Sequence, residues 1–245
     1  MEEKVKKLKV FLENSNRLVA FTGAGVSSDS GIPTYRGAGG LWSKYDPSKY
    51  ANINYFLKDP SYYWGFFKEQ RYPMLKEAKP NTTHLALVEL ENRGKLKMVI
   101  TQNIDGLHQV AGQSNVCELH GNTRFIICMD CTQKYPMEEI YSRLETELPP
   151  KCSSCKGLLK PDVVLFGESL PQGELNRAWQ AAQECDTFLV LGSSLVVYPA
   201  AQIPVLAKQQ GAKLIIINID PTPLDYDADL VINKSSSEIL SSILE

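Results

Sequence analysis

Residues 17–25 read RLVAFTGAG, and this stretch decides the fold class. From Leu18 to Thr22 the side chains are apolar, aromatic or β-branched, with no polar alternation, and the run then breaks into glycines. A strand buried on both faces and ending in a tight turn has this pattern, as in a parallel sheet. The same character returns in KMVITQN at 97–103, TFLVLGSS at 187–194 and KLIIINID at 213–220.

Helical spacing fills the intervals. Val5, Leu8, Phe11 and Leu12 predict an amphipathic helix over 3–14. Leu85, Leu87, Val88 and Leu90 precede the second strand, and Leu175, Ala178, Trp179 and Ala182 precede the third. Pro199 is expected to start a further helix that Gly211 ends. A last strand around Leu230 to Ile232 leads into a helix containing Ile239 and Leu240. Such alternation predicts an α/β fold: a Rossmann-like open, mostly parallel sheet with helices on both faces. Residues 37–80, rich in Gly, Pro and aromatic side chains, and residues 122–160, which hold two cysteine pairs, break the rhythm. They predict a small lobe made of a helical insertion and a structural zinc ribbon. The expected division is a discontinuous nucleotide-binding domain (1–36, 81–121 and 166–245), a helical and cofactor-loop module (37–80) and a zinc module (122–165).

Composition excludes several classes. The 245 residues carry 26 basic and 28 acidic side chains. No surplus of cations exists to displace counterions from a nucleic acid, so no direct nucleic-acid partner is expected. The N-terminus MEEKVKKLKVF lacks the apolar core of a signal peptide, and no uncharged apolar run approaches a membrane span. A cytoplasmic protein without membrane contact is expected.

Cys128-Met-Asp-Cys131 is followed by Cys152-Ser-Ser-Cys155. Each CxxC turn points two thiolates at one centre, and two turns complete a tetrahedral zinc site with no position left for water. The metal is therefore read as structural, with Lys134, Lys151, Lys156 and Lys160 offsetting the thiolate charge. Cys117 and Cys185 read as core fillers.

After the first strand, Gly23, Ala24 and Gly25 form a turn whose amides can meet a pyrophosphate, with Ser27 beyond it. An ordinary dehydrogenase is a poor match: no acid follows about twenty residues on at the end of a second strand. A phosphate loop ending in GK[ST] is also absent. Recognition of the adenosine ribose then falls to other strand ends, where Gly192, Ser193 and Ser194, and Asn218 and Asp220, stand. Gln102, Asn103, Ile104 and Asp105 end the second long strand, and His120 follows within ELHG. An amide can hold a carboxamide or a water, a carboxylate can accept from an amide nitrogen, and a neutral imidazole can take a proton from a ribose hydroxyl. Of the three histidines, His84 and His108 sit in helical patterns and read as structural; His120, with Asn103 and Asp105, is the catalytic candidate.

Taken in order, GAGVSSDSGIPTYRG, TQNIDGLH, ELHG, the double CxxC, FGESLP, GSSLVVYPA and IINID resemble the sirtuins, NAD⁺-dependent protein lysine deacylases, from about Leu18 to Ile232. The resemblance implies NAD⁺ as a consumed co-substrate and one structural zinc ion. It implies a cofactor site in which Ala24, Gly25, Ser27, Ser193, Ser194 and Asn218 surround the phosphates and adenosine ribose, with Thr34, Tyr35 and Arg36 on the loop that covers them. Gln102 and Asn103 would lie near the nicotinamide ribose, and Ile32, Ile104 and Asp105 would form the nicotinamide pocket. His120 would be the general base. The acyl oxygen of lysine would attack the ribose as nicotinamide leaves, and the acyl group would end on a ribose hydroxyl as 2′-O-acetyl-ADP-ribose. The partner would be an acetylated protein or peptide, added as a strand between Val163, Val164, Phe166, Gly167 and Glu168 on one side and Leu195, Val196, Val197 and Tyr198 on the other.

Two departures stand out. Tyr35 replaces the phenylalanine of a common Asp-Phe-Arg triplet, which predicts altered nicotinamide exchange. In WGFFKEQRYP (64–73), Phe67 and Gln70 fall where members that remove anionic acyl groups carry Tyr and Arg, and Arg71 supplies a neighbouring charge. Acetyl preference is expected. The competing functions are a protein mono-ADP-ribosyltransferase and a noncatalytic NAD-sensing module.

Overall fold

The computed structural model describes residues 1–37 and 39–244. Nine strands are present among them: β1 (Leu18–Thr22), β2 (Leu96–Thr101), β3 (Val116–Glu118), β4 (Gly121–Cys128), β5 (Lys134–Pro136), β6 (Leu159–Val163), β7 (Thr187–Leu191), β8 (Lys213–Ile217) and β9 (Leu230–Ile232). Six form one sheet in the order β3-β2-β1-β7-β8-β9. Every neighbouring pair in it is parallel.

The central strands β1 and β7 are buried at every residue, which is why their sequences show no alternation. Helices Glu2–Asn14, Thr82–Asn92 and Ser236–Leu244 cover one face, packing Leu8, Leu87 and Leu240 against Ala20, Leu189 and Ile215. Helices Gln172–Glu184 and Gln202–Gln209 cover the other, packing Ala178 and Ile203 against Phe21, Phe188 and Ile216. From β1 the chain builds outward first to β2 and β3, then in the opposite direction through β7, β8 and β9. That reversal opens a crevice at the carboxyl ends of β1 and β7, where open sheets bind ligands.

The small lobe has its own core of Phe56, Trp64, Phe67, Ile126 and Met137. Its zinc-ribbon part is a three-stranded antiparallel sheet, order β5-β4-β6. The insertion comprises short helices Pro47–Tyr50, Ile53–Lys58, Pro60–Phe66 and Tyr72–Glu77. Asp46, Asn52 and Asp59 start the first three by accepting hydrogen bonds from the following backbone amides. Phe67–Arg71 forms a widened, π-type turn between the last two.

Two expectations need correction. Pro199 does not start a helix: residues 199–201 form a turn in which Gln202 N–H bonds the Pro199 carbonyl at 3.0 Å, and the helix begins at Gln202. The lysines near the cysteines also have other partners. Lys134 bonds Asp162 at 2.7 Å, and Lys160 is buried against Glu168 at 3.1 Å. No helix among the described residues is long and apolar enough to cross a membrane.

Candidate active site

A cavity of about 730 Å³ opens over the carboxyl ends of the parallel strands, between the sheet and the small lobe. Gly23, Ala24 and Gly25 line it beyond β1; Gln102, Asn103 and Ile104 beyond β2; Gly192, Ser193 and Ser194 beyond β7; Asn218 and Asp220 beyond β8. The loop residues Thr34, Tyr35 and Arg36 close over it. Segments far apart in sequence thus meet at one crevice because parallel strands present all their carboxyl ends on one side.

The glycines have a packing reason of their own. Gly25 N–H bonds the Gly192 carbonyl at 2.8 Å, and Gly23 N–H bonds the Leu191 carbonyl at 3.0 Å. A Cβ built on Gly23 or Gly25 would lie 2.8 Å from Gly192 backbone atoms. Gly192 itself has φ +58, and its own Cβ would meet Val26 N at 2.5 Å. Two turns are pressed backbone to backbone, and only glycine permits that approach.

The polar groups are cross-tied. Gln102 Nε2 donates to Ser193 Oγ at 2.7 Å, joining the ends of β2 and β7. Asn103, buried, donates through Nδ2 to the Gly23 carbonyl and to Ser27 Oγ, both at 3.1 Å. Ser27 Oγ donates to Asp105 Oδ2 at 2.7 Å, and Asp105 Oδ1 accepts from Leu107 N–H at 2.9 Å. The carboxylate is thereby fixed in orientation. Ser27, Ile32 and Asp105 lie behind the main cavity, around a narrow adjoining pocket shared with Asn103 and Ile104.

His120 lines the main cavity between β3 and β4. Its Nδ1 lies 3.0 Å from the Gln102 carbonyl oxygen. A carbonyl only accepts, so Nδ1 carries the proton and Nε2 keeps the lone pair. Burial lowers the His120 pKa from its ordinary 6.5, and the Gln102 hydrogen bond opposes that only in part. The ring is therefore neutral and in the basic tautomer near neutral pH.

On the opposite wall, Val163, Val164, Phe166, Gly167 and Glu168 line the cavity, as do Val197 and Tyr198 across from them. The Val164 amide is used by the His120 carbonyl (2.8 Å), and both backbone groups of Phe166 pair with Ala51 and Ile53. Among the described residues, the Val164 carbonyl and both backbone groups of Gly167 and Val196 have no protein partner. The Leu195 side chain is buried in the core behind the loop, so only its backbone is left for the strand-pairing role expected of this segment.

In the zinc lobe the Sγ atoms of Cys128, Cys131, Cys152 and Cys155 all lie within 4.8 Å of one another. Sulfurs about 2.3 Å from a common zinc require separations of this order, so the four fit one tetrahedral ion with no open position. Cys117 and Cys185 are buried, and burial pushes the Cys185 thiol up to about 12. His84 and His108 are buried as well, in the helices Thr82–Asn92 and Leu107–Ala111.

Sequence reasoning misplaced one part of the cavity. Phe67 lines it, but Gln70 does not; its side chain accepts from Tyr45 OH at 3.4 Å. Arg71 lines the cavity instead, because the widened turn Phe67–Arg71 shifts the helical register by a residue. A cation and phenols, Tyr35 and Tyr63, therefore do stand in this wall.

Comparison with known proteins agrees with this geometry. The model of the Sir2 family matches residues 23–199. The chain is 50% identical over 240 residues to an NAD-dependent protein deacetylase of Caldivirga maquilingensis, covering 98% of this chain and 92% of the relative. It is 46% identical over 246 residues to NAD-dependent protein deacylase 2 of Archaeoglobus fulgidus, covering 100% and 96%. Among solved structures, a Sir2 histidine-to-alanine variant with a deacetylated p53 peptide and 3′-O-acetyl ADP-ribose superposes with TM-score 0.94, 41% identity and coverage of 98% and 97%. A Sir2 complex with p53 peptide and NAD⁺ gives TM-score 0.91, 41% identity and the same coverage.

Proposed function

The chain belongs to the Sir2 family and is an NAD-dependent protein deacetylase; from that premise we propose how its own residues divide the reaction. The observation that carries the proposal is His120: a neutral imidazole on the cavity wall with Nδ1 committed to the Gln102 carbonyl and Nε2 left as the acceptor. NAD⁺ supplies, when bound, a ribose carbon that gives up nicotinamide and becomes electrophilic enough for the poorly nucleophilic oxygen of an amide.

Everything else is done by the protein. The Ala24 amide, the one amide of the Gly23–Gly25 turn not taken by a carbonyl, holds the pyrophosphate with Arg36; Ser193, Ser194, Asn218 and Asp220 hold the adenosine end. Asp105 accepts from the carboxamide nitrogen of the nicotinamide, which Ile32 and Ile104 flank. Asn103 and Gln102 position the nicotinamide ribose. His120 Nε2 takes the proton of a ribose hydroxyl, so that this oxygen, and not bulk water, receives the acetyl carbon. The acetylated peptide joins the free backbone groups of Val164, Gly167 and Val196 as an added strand, which makes recognition tolerant of sequence. Phe166, Val197 and Tyr198 flank the acetyl-lysine. One water then adds as the lysine nitrogen departs, so that nicotinamide, 2′-O-acetyl-ADP-ribose and free lysine leave.

In this scheme residues 1–36, 81–121 and 166–245 form the NAD-binding domain, 37–80 the cofactor-loop and helical module, and 122–165 the zinc module. The zinc braces β4, whose first residue follows His120, and takes no part in the chemistry. The partner is an acetylated protein in the cytoplasm. Mass spectrometry of an acetyl-lysine peptide with and without NAD⁺ tests the scheme. It expects nicotinamide, acetyl-ADP-ribose and free lysine in equal amounts; ADP-ribose attached to the peptide, or NAD⁺ bound but uncleaved, contradicts it.

A further inference from the structure

Arg71 is buried (8% exposed), yet among the described residues its guanidinium has no carboxylate partner. Burying a cation in that state is costly unless something else holds it. What holds it is Tyr35. Arg71 Nη2 donates to the Tyr35 hydroxyl, and the guanidinium carbon lies 5.0 Å from the centre of the Tyr35 ring. The ring also packs against Trp42, with centroids 5.1 Å apart. One phenol thus receives both a charge-assisted hydrogen bond and a cation–π contact from a single side chain.

The contact joins two parts of the molecule. Tyr35 belongs to the loop that closes over the cavity, between Thr34 and Arg36, whereas Arg71 ends the widened turn of the helical insertion. Both line the narrow pocket that also contains Ile32, Ile104, Asn103 and Asp105. That pocket combines apolar walls with an acceptor, Asp105, and a donor, Arg71, which is the complement of an aromatic carboxamide.

We propose that Arg71 is a cofactor-positioning residue: clamped to Tyr35, it fastens the covering loop to the helical lobe beside the narrow pocket and so sets how firmly nicotinamide is retained there. The inference rests on reading that pocket as the nicotinamide site.

The test compares Arg71→Met, Arg71→Lys, Tyr35→Phe and the Arg71→Met/Tyr35→Phe pair in the full chain. The readouts are the nicotinamide inhibition constant, the KM for acetyl-peptide and the thermal midpoint. Loss of the charge-assisted hydrogen bond and ring contact in Arg71→Met raises the nicotinamide constant about tenfold. Tyr35→Phe, which keeps the ring under the guanidinium, raises it about threefold, and Arg71→Lys falls between. The pair is no worse than Arg71→Met alone, because both changes remove one shared contact, while peptide KM stays within about twofold. The proposal is overturned if folded Arg71→Met leaves the nicotinamide constant unchanged, if peptide KM rises as much, or if the two changes add. Should Arg71→Met fail to fold, an unchanged constant in Tyr35→Phe overturns it. Calorimetric titration with nicotinamide alone reads the same ranking without turnover. This ranking across the variants, with a wild-type protein that deacetylates nothing, would refute the enzymatic reading and leave the clamp standing.

Discussion

Two histidine sites in this molecule share a lowered pKa and differ in everything else that matters for chemistry. His84 and His108 meet in a tilted contact, ring centroids 4.8 Å apart, under the carboxyl end of β1. His108 Nε2 lies 3.0 Å from Thr22 Oγ1, and His84 Nδ1 takes the Asn81 amide at 3.2 Å, completing a helix cap. The remaining ring nitrogens, His84 Nε2 and His108 Nδ1, are enclosed without a partner. Burial pulls the two pKa values down to about 4 and about 3. Burial also leads the downward shift of His120. A depressed pKa is therefore no mark of a base by itself. His120 is separated from the pair by a wall on the cavity and by a carbonyl that fixes its tautomer; the pair serves the packing of helix on sheet.

The largest expected effect separates the two sites outright. His120→Ala should reduce deacetylation by about 10³-fold, the scale of general base catalysis, with the thermal midpoint nearly unchanged. His108→Ala should do the reverse in kind: a lowered thermal midpoint, with residual activity at temperatures where the protein stays folded. Activity loss in the two variants of equal size at equal stability would erase the distinction.

Removing zinc comes next. Chelation, or Cys152→Ser, should cost most of the activity by loosening β4 and the segment beside His120, because metal binding in such ribbons is part of folding. The near-ultraviolet signal of the small-lobe aromatics should fall while the far-ultraviolet signal of the parallel domain persists. Retained activity in a zinc-free preparation would count against the bracing role.

Acid should then act on the histidine pair first. Folded pKa values near 4 and 3 lie below the ordinary 6.5, so the unfolded chain binds more protons in between. The contribution is complete above about pH 6.5 and is lost as pH falls toward 4, at about 1.4 kcal/mol for each unit of depression. Urea midpoints at pH 7.5 and 4.5 measure it, and His84→Gln/His108→Gln should flatten the difference. An unflattened difference would assign acid sensitivity to the carboxylates.

The smallest effect concerns the peptide wall. Lys160, buried on β6, donates to the Val163 carbonyl and to Glu168 Oε2, which also accepts from Leu165 N–H at 2.8 Å. Lys160→Met should raise the KM for acetyl-peptide about fivefold by freeing that segment, with little change in the KM for NAD⁺. Equal changes in both constants would mean that the pair only supports the fold.

The sequence announced the parallel sheet because strands covered on both faces need unbroken apolar runs, as Leu18–Thr22 and Thr187–Leu191 have. Strand β3, with three residues, is too short for any pattern, and its place at the sheet edge depends on pairing with β2. The cysteines and His120 were legible because spacing and neighbouring glycines confine them. The exchange of Gln70 for Arg71 in the cavity wall and the burial of the Leu195 side chain were not: a widened turn moved Arg71 in, and a positive φ of 54 accompanies burial of Leu195. Neither event has a local signature in residue types. The glycines of the first turn carried a reason invisible in one dimension, since the close neighbour that demands them is Gly192.

The state of the His120 ring can be read directly by nitrogen-detected nuclear magnetic resonance across a pH titration. A neutral ring protonated on Nδ1, with a midpoint below 6.5, is the predicted result. Protonation on Nε2 near neutral pH, or a midpoint well above 6.5, would mean that the imidazole cannot accept the ribose proton.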